Sequence, residues 1–177
     1  MRSRMNIYLD HLLAVDTAIC LRFNRTSQRI WVRNFFRIVS RLGDGLFWYA
    51  VMVAILLCDG AAGLFASLHM MAAGLAGTAI YKIIKGQASR PRPFEISLSI
   101  LPGMPPLDRF SFPSGHTLHA VVFTVVALAY YPMLAWLLIP FTLLVATSRL
   151  VLGLHYPTDV LAGGALGALI ASLSFLL

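Results

Sequence analysis

The sequence predicts an all-α fold: a polytopic membrane helix bundle of five or six transmembrane helices, with an N-terminal amphipathic helix lying at the interface. Three observations predict it. Of the 177 residues, 59% are hydrophobic and only 12% are charged, against an apolar share of roughly 45–50% in soluble domains. The apolar residues gather into uncharged runs of helix length, separated by breaks rich in glycine and proline. Basic residues collect at the ends of those runs rather than inside them, as they do at membrane edges. The length suits one domain, divided here into an interfacial region over 1–43 and a membrane-embedded core over 44–177.

Residues 5–23 form a weakly amphipathic stretch. Arg2 and Arg4 precede it, but Asp10, His11 and Asp16 interrupt the apolar run. Those polar residues argue against a cleavable signal peptide and against a clean span, so this stretch decides between five crossings and six. Residues 28–42 are more regular. Arg29, Arg33, Arg37 and Arg41 recur every four positions and share one arc of a helical wheel, while Trp31, Val32, Phe35, Phe36, Ile38, Val39 and Leu42 fill the opposite arc. A basic face opposing an aromatic one suits a helix lying among anionic headgroups. The same pattern also fits a solvated amphipathic helix packed on the protein.

Gly43-Asp44-Gly45 reads as the end of that helix. Two uncharged runs follow, over 45–58 and 61–81, separated by a turn at Asp59-Gly60. The first is short for a bilayer, which needs about 20 residues. The second is broken only by His69 and closed by Lys82 and Lys85 at the water interface. Residues 86–113 carry prolines at 91, 93, 102, 105 and 106, then Pro113, and read as a loop. From 114 to 148 the only ionisable side chains of the acid–base kind are histidines, and Tyr130-Tyr131-Pro132 falls near the middle. That gives two helices, 114–131 and 133–148, with Pro140 a candidate kink in the second. A short loop over 149–157 leads to a last helix over 158–177, where Gly163, Gly164 and Gly167 permit close packing. This order brings Lys85, Ser114, Arg149 and Asp159 to one face of the membrane.

Those four positions belong to three polar clusters, and polar clusters in a membrane chain are functional hypotheses by default. The first is Lys85-x6-Arg92-Pro93. The second is Pro113-Ser114-Gly115-His116. The third is Ser148-Arg149-x5-His155-x3-Asp159. His155 and Asp159 are four apart and share a side of a helical turn. A carboxylate on one ring nitrogen fixes the tautomer and frees the other as nucleophile or base, although such a pair can also simply cap a helix. Ser114 and Gly115 open a helix whose N-terminus favours phosphate, and the same residues are an ordinary start signal. His116 at that mouth can act as general acid. Lys85, Arg92 and Arg149 can surround a phosphate. Membrane-edge anchoring is the alternative for Lys85, and more so for Lys82 and Arg90.

His119, one turn beyond His116, reads as a packed core histidine or a support for the site. His69 reads as a satisfied core histidine. Cys20 and Cys58 sit in apolar surroundings, with no partner at metal-ligand spacing. No metal site is expected, because the clusters bring at least three cations together and no HExxH or paired-cysteine pattern occurs. No other cofactor is expected either. The net charge of +7 would suggest nucleic acid in a soluble protein. Here the basic residues flank apolar runs, so headgroups and phosphates are the expected partners, with anionic lipids near Arg29, Arg33 and Arg37.

In order and spacing, the three clusters resemble the signature motifs of the type 2 phosphatidic acid phosphatase superfamily, the lipid phosphate phosphatases, over about residues 44–177. The resemblance implies that His155 attacks phosphorus to form a phosphohistidine and that Asp159 orients it. It implies that His116 protonates the leaving oxygen and later activates water. Lys85, Arg92, Ser114, the Gly115 amide and Arg149 would hold the phosphoryl oxygens as charge builds. Soluble vanadium haloperoxidases share the motifs, but this chain is too apolar and too small for one. Many members of the superfamily begin with a clear first span, which residues 5–23 do not match.

Small bacterial members act on undecaprenyl diphosphate, phosphatidylglycerol phosphate, phosphatidic acid or lipid A phosphates, and the resemblance implies one of these classes, by hydrolysis or by phosphotransfer. The loop over 94–112, with Phe94, Leu101, Met104 and Leu107, would shape the entry. A multi-pass protein of the inner membrane is expected. The superfamily usually faces the periplasm or cell exterior, and that orientation is expected here. It stands against the positive-inside rule, since all of the fourteen Lys and Arg except Arg2 and Arg4 fall on the active-site face. A lipid headgroup transporter would need polar residues deep in the helices, where few occur. A catalytically idle structural protein would tolerate a damaged motif, and none is damaged.

Overall fold

The computed structural model describes residues 4–176; Arg2, grouped above with the N-terminal stretch, lies outside the described residues. The helices are α1 (Arg4–Thr26), α2 (Ile30–Arg41), α3 (Phe47–Gln87), α4 (Pro93–Ile96), α5 (Gly115–Tyr130), α6 (Ala135–Val151) and α7 (Pro157–Ser174). A π-helical turn over Leu42–Leu46 joins α2 to α3, and a 3-10 turn over Pro132–Leu134 joins α5 to α6. No strand occurs among the described residues, as the runs predict.

The two runs on either side of Asp59-Gly60 form one element with a sharp reversal. Gly60 leaves the helical region with φ 53° and ψ −119°, a backbone that costs glycine little. Residues 47–59 and 61–87 then pack back to back, with the Ser67 hydroxyl donating to the Met52 carbonyl at 3.0 Å. Tyr131 donates to Asp59 at 2.7 Å, so this reversal and the α5–α6 turn lie at the same end of the bundle. His69 is satisfied there by Tyr130 and Ser174, each at 2.8 Å, but it is half-buried at the end of the bundle rather than in the core.

Helix α5 occupies the centre, against α3, α6 and α7. Its contact with α7 depends on small residues. Gly163 lies against the Ser114 carbonyl and Gly167 against the Leu118 carbonyl, so neither site has room for a Cβ. The core includes Trp48, Met70, Leu118, Val122, Leu138 and Val145, with Phe47 stacked on Phe141 at 3.7 Å between centroids. Outward positions such as Leu57, Phe65, Leu75, Trp136 and Leu161 are exposed and apolar. That reverses the soluble pattern and is expected where lipid is the solvent. Helices over Ile30–Gln87, Pro132–Val151 and Pro157–Ser174 are long and apolar enough to cross a membrane, and Gly115–Tyr130 is a shorter apolar helix.

The N-terminal stretch differs from expectation. It is a helix of 23 residues, longer than 5–23. Its buried stripe is Asp16, Cys20 and Asn24, four residues apart, and each touches the active-site end. Asp16 accepts from the Thr158 amide at 3.1 Å. Cys20 lies 3.7 Å from the His155 carbonyl. Asn24 donates to Leu101 and Val151 carbonyls at 2.9 and 3.0 Å. Helix α1 therefore runs along that end of the bundle. Its opposite stripe, Leu12, Val15, Ile19 and Phe23, is exposed.

Gly43-Asp44-Gly45 does not end α2. The chain continues through the π-helical turn, with Gly45 at φ 142°. Helix α2 buries Val32, Val39 and Ser40 against α6 and leaves Trp31, Phe35 and Ile38 exposed.

Candidate active site

Each functional side chain reaches the site from a helix end or the loop beside it. Lys85 closes α3. Arg92 directly precedes α4, its amide held by Glu95 Oε2 at 2.7 Å. Ser114 and Gly115 start α5, Arg149 closes α6, His155 lies in the loop after it, and Asp159 is in the first turn of α7. The ends are tied together. The Ser114 amide donates to the Asp159 carbonyl at 3.0 Å, and Arg92 Nη1 donates to the Leu154 carbonyl at 2.7 Å.

His155 is only 2% exposed. Burial, then the charges of Arg149, Arg92 and Lys85, hold its imidazole well below the usual 6.5, so it is neutral at neutral pH. The hydrogen bond expected between His155 and Asp159 is not formed: Nδ1 lies 3.7 Å from Oδ2 and has no partner. Asp159 is instead held by its own helix start and by an arginine. The Tyr156 amide donates to Oδ2 at 2.8 Å, and Arg90 Nη1 donates to Oδ1 at 2.6 Å.

Arg90 was expected at the membrane edge, and this expectation is corrected. Its Nη2 donates to Asp16 at 2.6 Å, its Nη1 also reaches the Thr158 hydroxyl at 2.7 Å, and its guanidinium lies 4.1 Å from the centre of the Tyr156 ring. Asp16, Arg90 and Asp159 form one chain of ion pairs from α1 to the carboxylate beside His155, with Arg90 partly exposed between two buried carboxylates. Spacing could not reveal it, because Asp16 and Arg90 are 74 residues apart.

His116 is paired through Nε2 with Asp44, the residue between the two glycines read as a helix stop. This leaves Nδ1 free of Asp44, and the carboxylate fixes the orientation of the ring. His119 belongs beside the site rather than in a closed core. It bonds Thr78 at 2.9 Å and the Gly115 carbonyl at 2.8 Å, and it lines a cavity of about 330 Å³ with His116, Gly115, Asp44, Tyr81 and Asp108. Ser114 makes no capping bond to the backbone; its hydroxyl is 3.0 Å from that of Thr117. A Cβ at Gly115 would lie 2.8 Å from the Tyr81 ring.

The three motif cations are not equivalent. Lys85 and Arg92 share a carboxylate that spacing did not single out, Asp108, at 2.7 and 2.6 Å. Arg149 is 2% exposed, has no carboxylate within ion-pair distance among the described residues, and leaves Nε without a partner. Its Nη1 donates to Ser40 at 2.5 Å. A buried guanidinium in that state is costly unless an anion joins it. Arg37, placed above on a lipid-facing arc, instead turns Nε to the Gly103 carbonyl. Of the loop residues expected at the entry, Leu107 lines the cavity and Leu101 is exposed, but Phe94 packs inward with Cys20, Ile100 and Tyr156.

The family model of the PAP2 superfamily matches residues 63–177. Two curated relatives are similar over much of the chain. Undecaprenyl-diphosphatase BcrC of Bacillus subtilis is 34% identical over 102 residues, 58% of this chain and 52% of that protein. An undecaprenyl-diphosphatase of Sulfolobus acidocaldarius is 31% identical over 143 residues, 77% of this chain and 66% of that protein. The chain thus spans between about half and two thirds of those relatives. Among solved structures, a transmembrane PAP2-type phosphatidylglycerolphosphate phosphatase from Bacillus subtilis aligns with TM-score 0.70 and 25% identity, over 93% of this chain and 85% of that one. Aquifex aeolicus LpxE aligns with TM-score 0.72 over 89% of this chain and 93% of that one; at 22% identity it supports the fold.

Proposed function

The chain belongs to the PAP2 superfamily, and from that premise we propose that it is a membrane phosphatase that hydrolyses a lipid phosphate or diphosphate. The observation that carries this reading is Arg149, a buried guanidinium with an unpartnered Nε, beside a nucleophile kept neutral by burial and surrounding cations. A phosphoryl group supplies the missing anion and the electrophile together. His155 Nε2 attacks phosphorus and the bond to the leaving oxygen breaks, while His116 gives that oxygen a proton. Water, deprotonated by His116, then cleaves the phosphorus–nitrogen bond, releasing phosphate and free His155. Arg149, Lys85, Arg92, Ser114 and the Gly115 amide hold the phosphoryl oxygens, and Asp159 orients the nucleophile's loop.

Undecaprenyl diphosphate is the first substrate to test, because both curated relatives carry that name. Phosphatidylglycerol phosphate follows from the structural neighbour, and phosphatidic acid completes the panel. In this reading residues 44–177 form the catalytic core and 1–43 the membrane-surface region, with Arg29, which is exposed, and Arg33 meeting anionic headgroups. The site faces the periplasm or exterior of an inner membrane.

Phosphate release by detergent-purified protein from that panel tests the proposal. Activity should persist in EDTA, stop with vanadate, and disappear in His155→Ala together with an acid-labile, base-stable phosphoenzyme. Activity lost in EDTA and restored by magnesium would overturn the cation-held mechanism.

A further inference from the structure

Lys85 and Arg92 stand in the first motif as phosphate ligands, yet both direct their charge at Asp108. The carboxylate sits where phosphoryl oxygens would have to sit. Its Oδ1 takes both cations, and its Oδ2 accepts the Tyr81 hydroxyl, which in turn accepts from Lys85 at 2.8 Å. Arg92 is filled further by the Asp108 and Phe110 carbonyls, at 3.0 and 3.2 Å from Nη2. Asp108 also lines the cavity that reaches His116 and Gly115, while His155, Arg92 and Arg149 lie buried. Anything entering from that cavity meets Asp108 before it meets both cations.

We propose that Asp108 is a resident anion that competes with ligands for Lys85 and Arg92, and so selects doubly charged phosphoryl groups over singly charged ones. The inference rests on the phosphatase reading above. Three donors hold one carboxylate, so a ligand must replace all three contacts. A phosphate monoester or diphosphate brings enough charge and enough oxygens to replace them and to satisfy Arg149 as well. A phosphodiester brings one charge and two bridging oxygens, and the exchange gains it little. The membrane around the site is rich in phosphodiester headgroups, so a resident carboxylate keeps the site from filling with them. Asp108 is ionised for this purpose. Burial raises its pKa, but the hydrogen bonds from Lys85 and Tyr81 and the charges of Lys85 and Arg92 outweigh that and hold it below the ordinary 3.8.

The test compares wild type, Asp108→Asn and Asp108→Glu as full-length protein in detergent, with vanadate, inorganic phosphate and dimethyl phosphate as inhibitors of short-chain phosphatidic acid hydrolysis. The Asn variant should bind vanadate and phosphate about tenfold tighter, the equivalent of one charge-assisted hydrogen bond that need not be broken. It should also become sensitive to dimethyl phosphate, and the Glu variant should return toward wild type. Equal or weaker vanadate binding by Asp108→Asn would show that Asp108 merely positions the two cations. On wild type alone, vanadate should speed amide exchange around 107–111, and slowed or unchanged exchange overturns the proposal even where the Asn variant does not fold. A wild-type protein with no activity on any substrate of the panel rejects the phosphatase reading instead, which separates the two failures.

Discussion

His155 shows how the site sets chemistry through surroundings more than through one bond. Its Nδ1 has no hydrogen-bond partner, and Asp159 stands 3.7 Å away. The protonated ring is disfavoured by burial first, then by Arg149, Arg92, Lys85 and His116. Protonation removes the nucleophilic lone pair, so activity must fall as pH drops through the depressed pKa. The acid limb of kcat/KM, which reports the free enzyme, should therefore lie below 6.5, the ordinary imidazole value. A pH-rate profile on a soluble short-chain substrate measures it. A limb at or above 6.5 that persists in Asp44→Asn would place the nucleophile in other surroundings. Spacing made His155 and His116 legible, because a motif is local. The partner of His116 was not: Asp44 is 72 residues away, and nothing in a glycine-flanked aspartate distinguishes a turn residue from a histidine's partner.

At the scale of elements, α1 carries more of the site than its polar sequence suggested. The stripe Asp16, Cys20 and Asn24 meets the loops at 101 and 155, the end of α6 at 151 and the start of α7 at 158. Asp16 is 2% exposed and pairs with Arg90, so its removal leaves a cation without one of its two carboxylates. Arg90 is partly exposed and keeps Asp159, so the loss is smaller than the ~3–5 kcal/mol of breaking a fully buried pair. Asp16→Ala should lower the thermal midpoint in detergent and reduce kcat more than it raises KM, since Asp16 does not touch the phosphoryl seat. A protein lacking residues 1–26 should lose activity even though the superfamily match begins at residue 63. Full activity in that truncation would make α1 a passive membrane rider. The polar residues of 5–23 showed only that the apolar run is interrupted. They did not say that the polar stripe faces the protein and the apolar stripe faces outward.

For the whole molecule, the two cysteines report the orientation without added labels. Cys58 is exposed and precedes the reversal at Gly60, at the end opposite the active site; Cys20 is buried beside His155. If the active site faces the exterior, Cys58 faces the cytoplasm. An impermeant maleimide added to intact cells should leave Cys58 unlabelled, then label it after permeabilisation, while Cys20 stays unlabelled in both. Labelling of Cys58 in intact cells would reverse the assignment and bring it into line with the positive-inside rule.

The sequence by itself determined the all-α class, the order of the apolar helices, the reversal at Asp59-Gly60 and the three clusters at one end. Each follows from local periodicity, local breakers or fixed spacing, and needs no partner across the fold. That α7 would pack closely was legible for the same reason, from Gly163, Gly164 and Gly167, but not that its partner is α5. The tertiary structure alone decided which charges meet. Asp108 joins Lys85 and Arg92, Asp16 and Asp159 share Arg90, Asp44 holds His116, and Arg149 is left with no carboxylate among the described residues. Ion pairing depends on distance in space, and in a bundle whose helix ends converge, seven acidic and fourteen basic side chains admit many pairings that sequence order cannot rank.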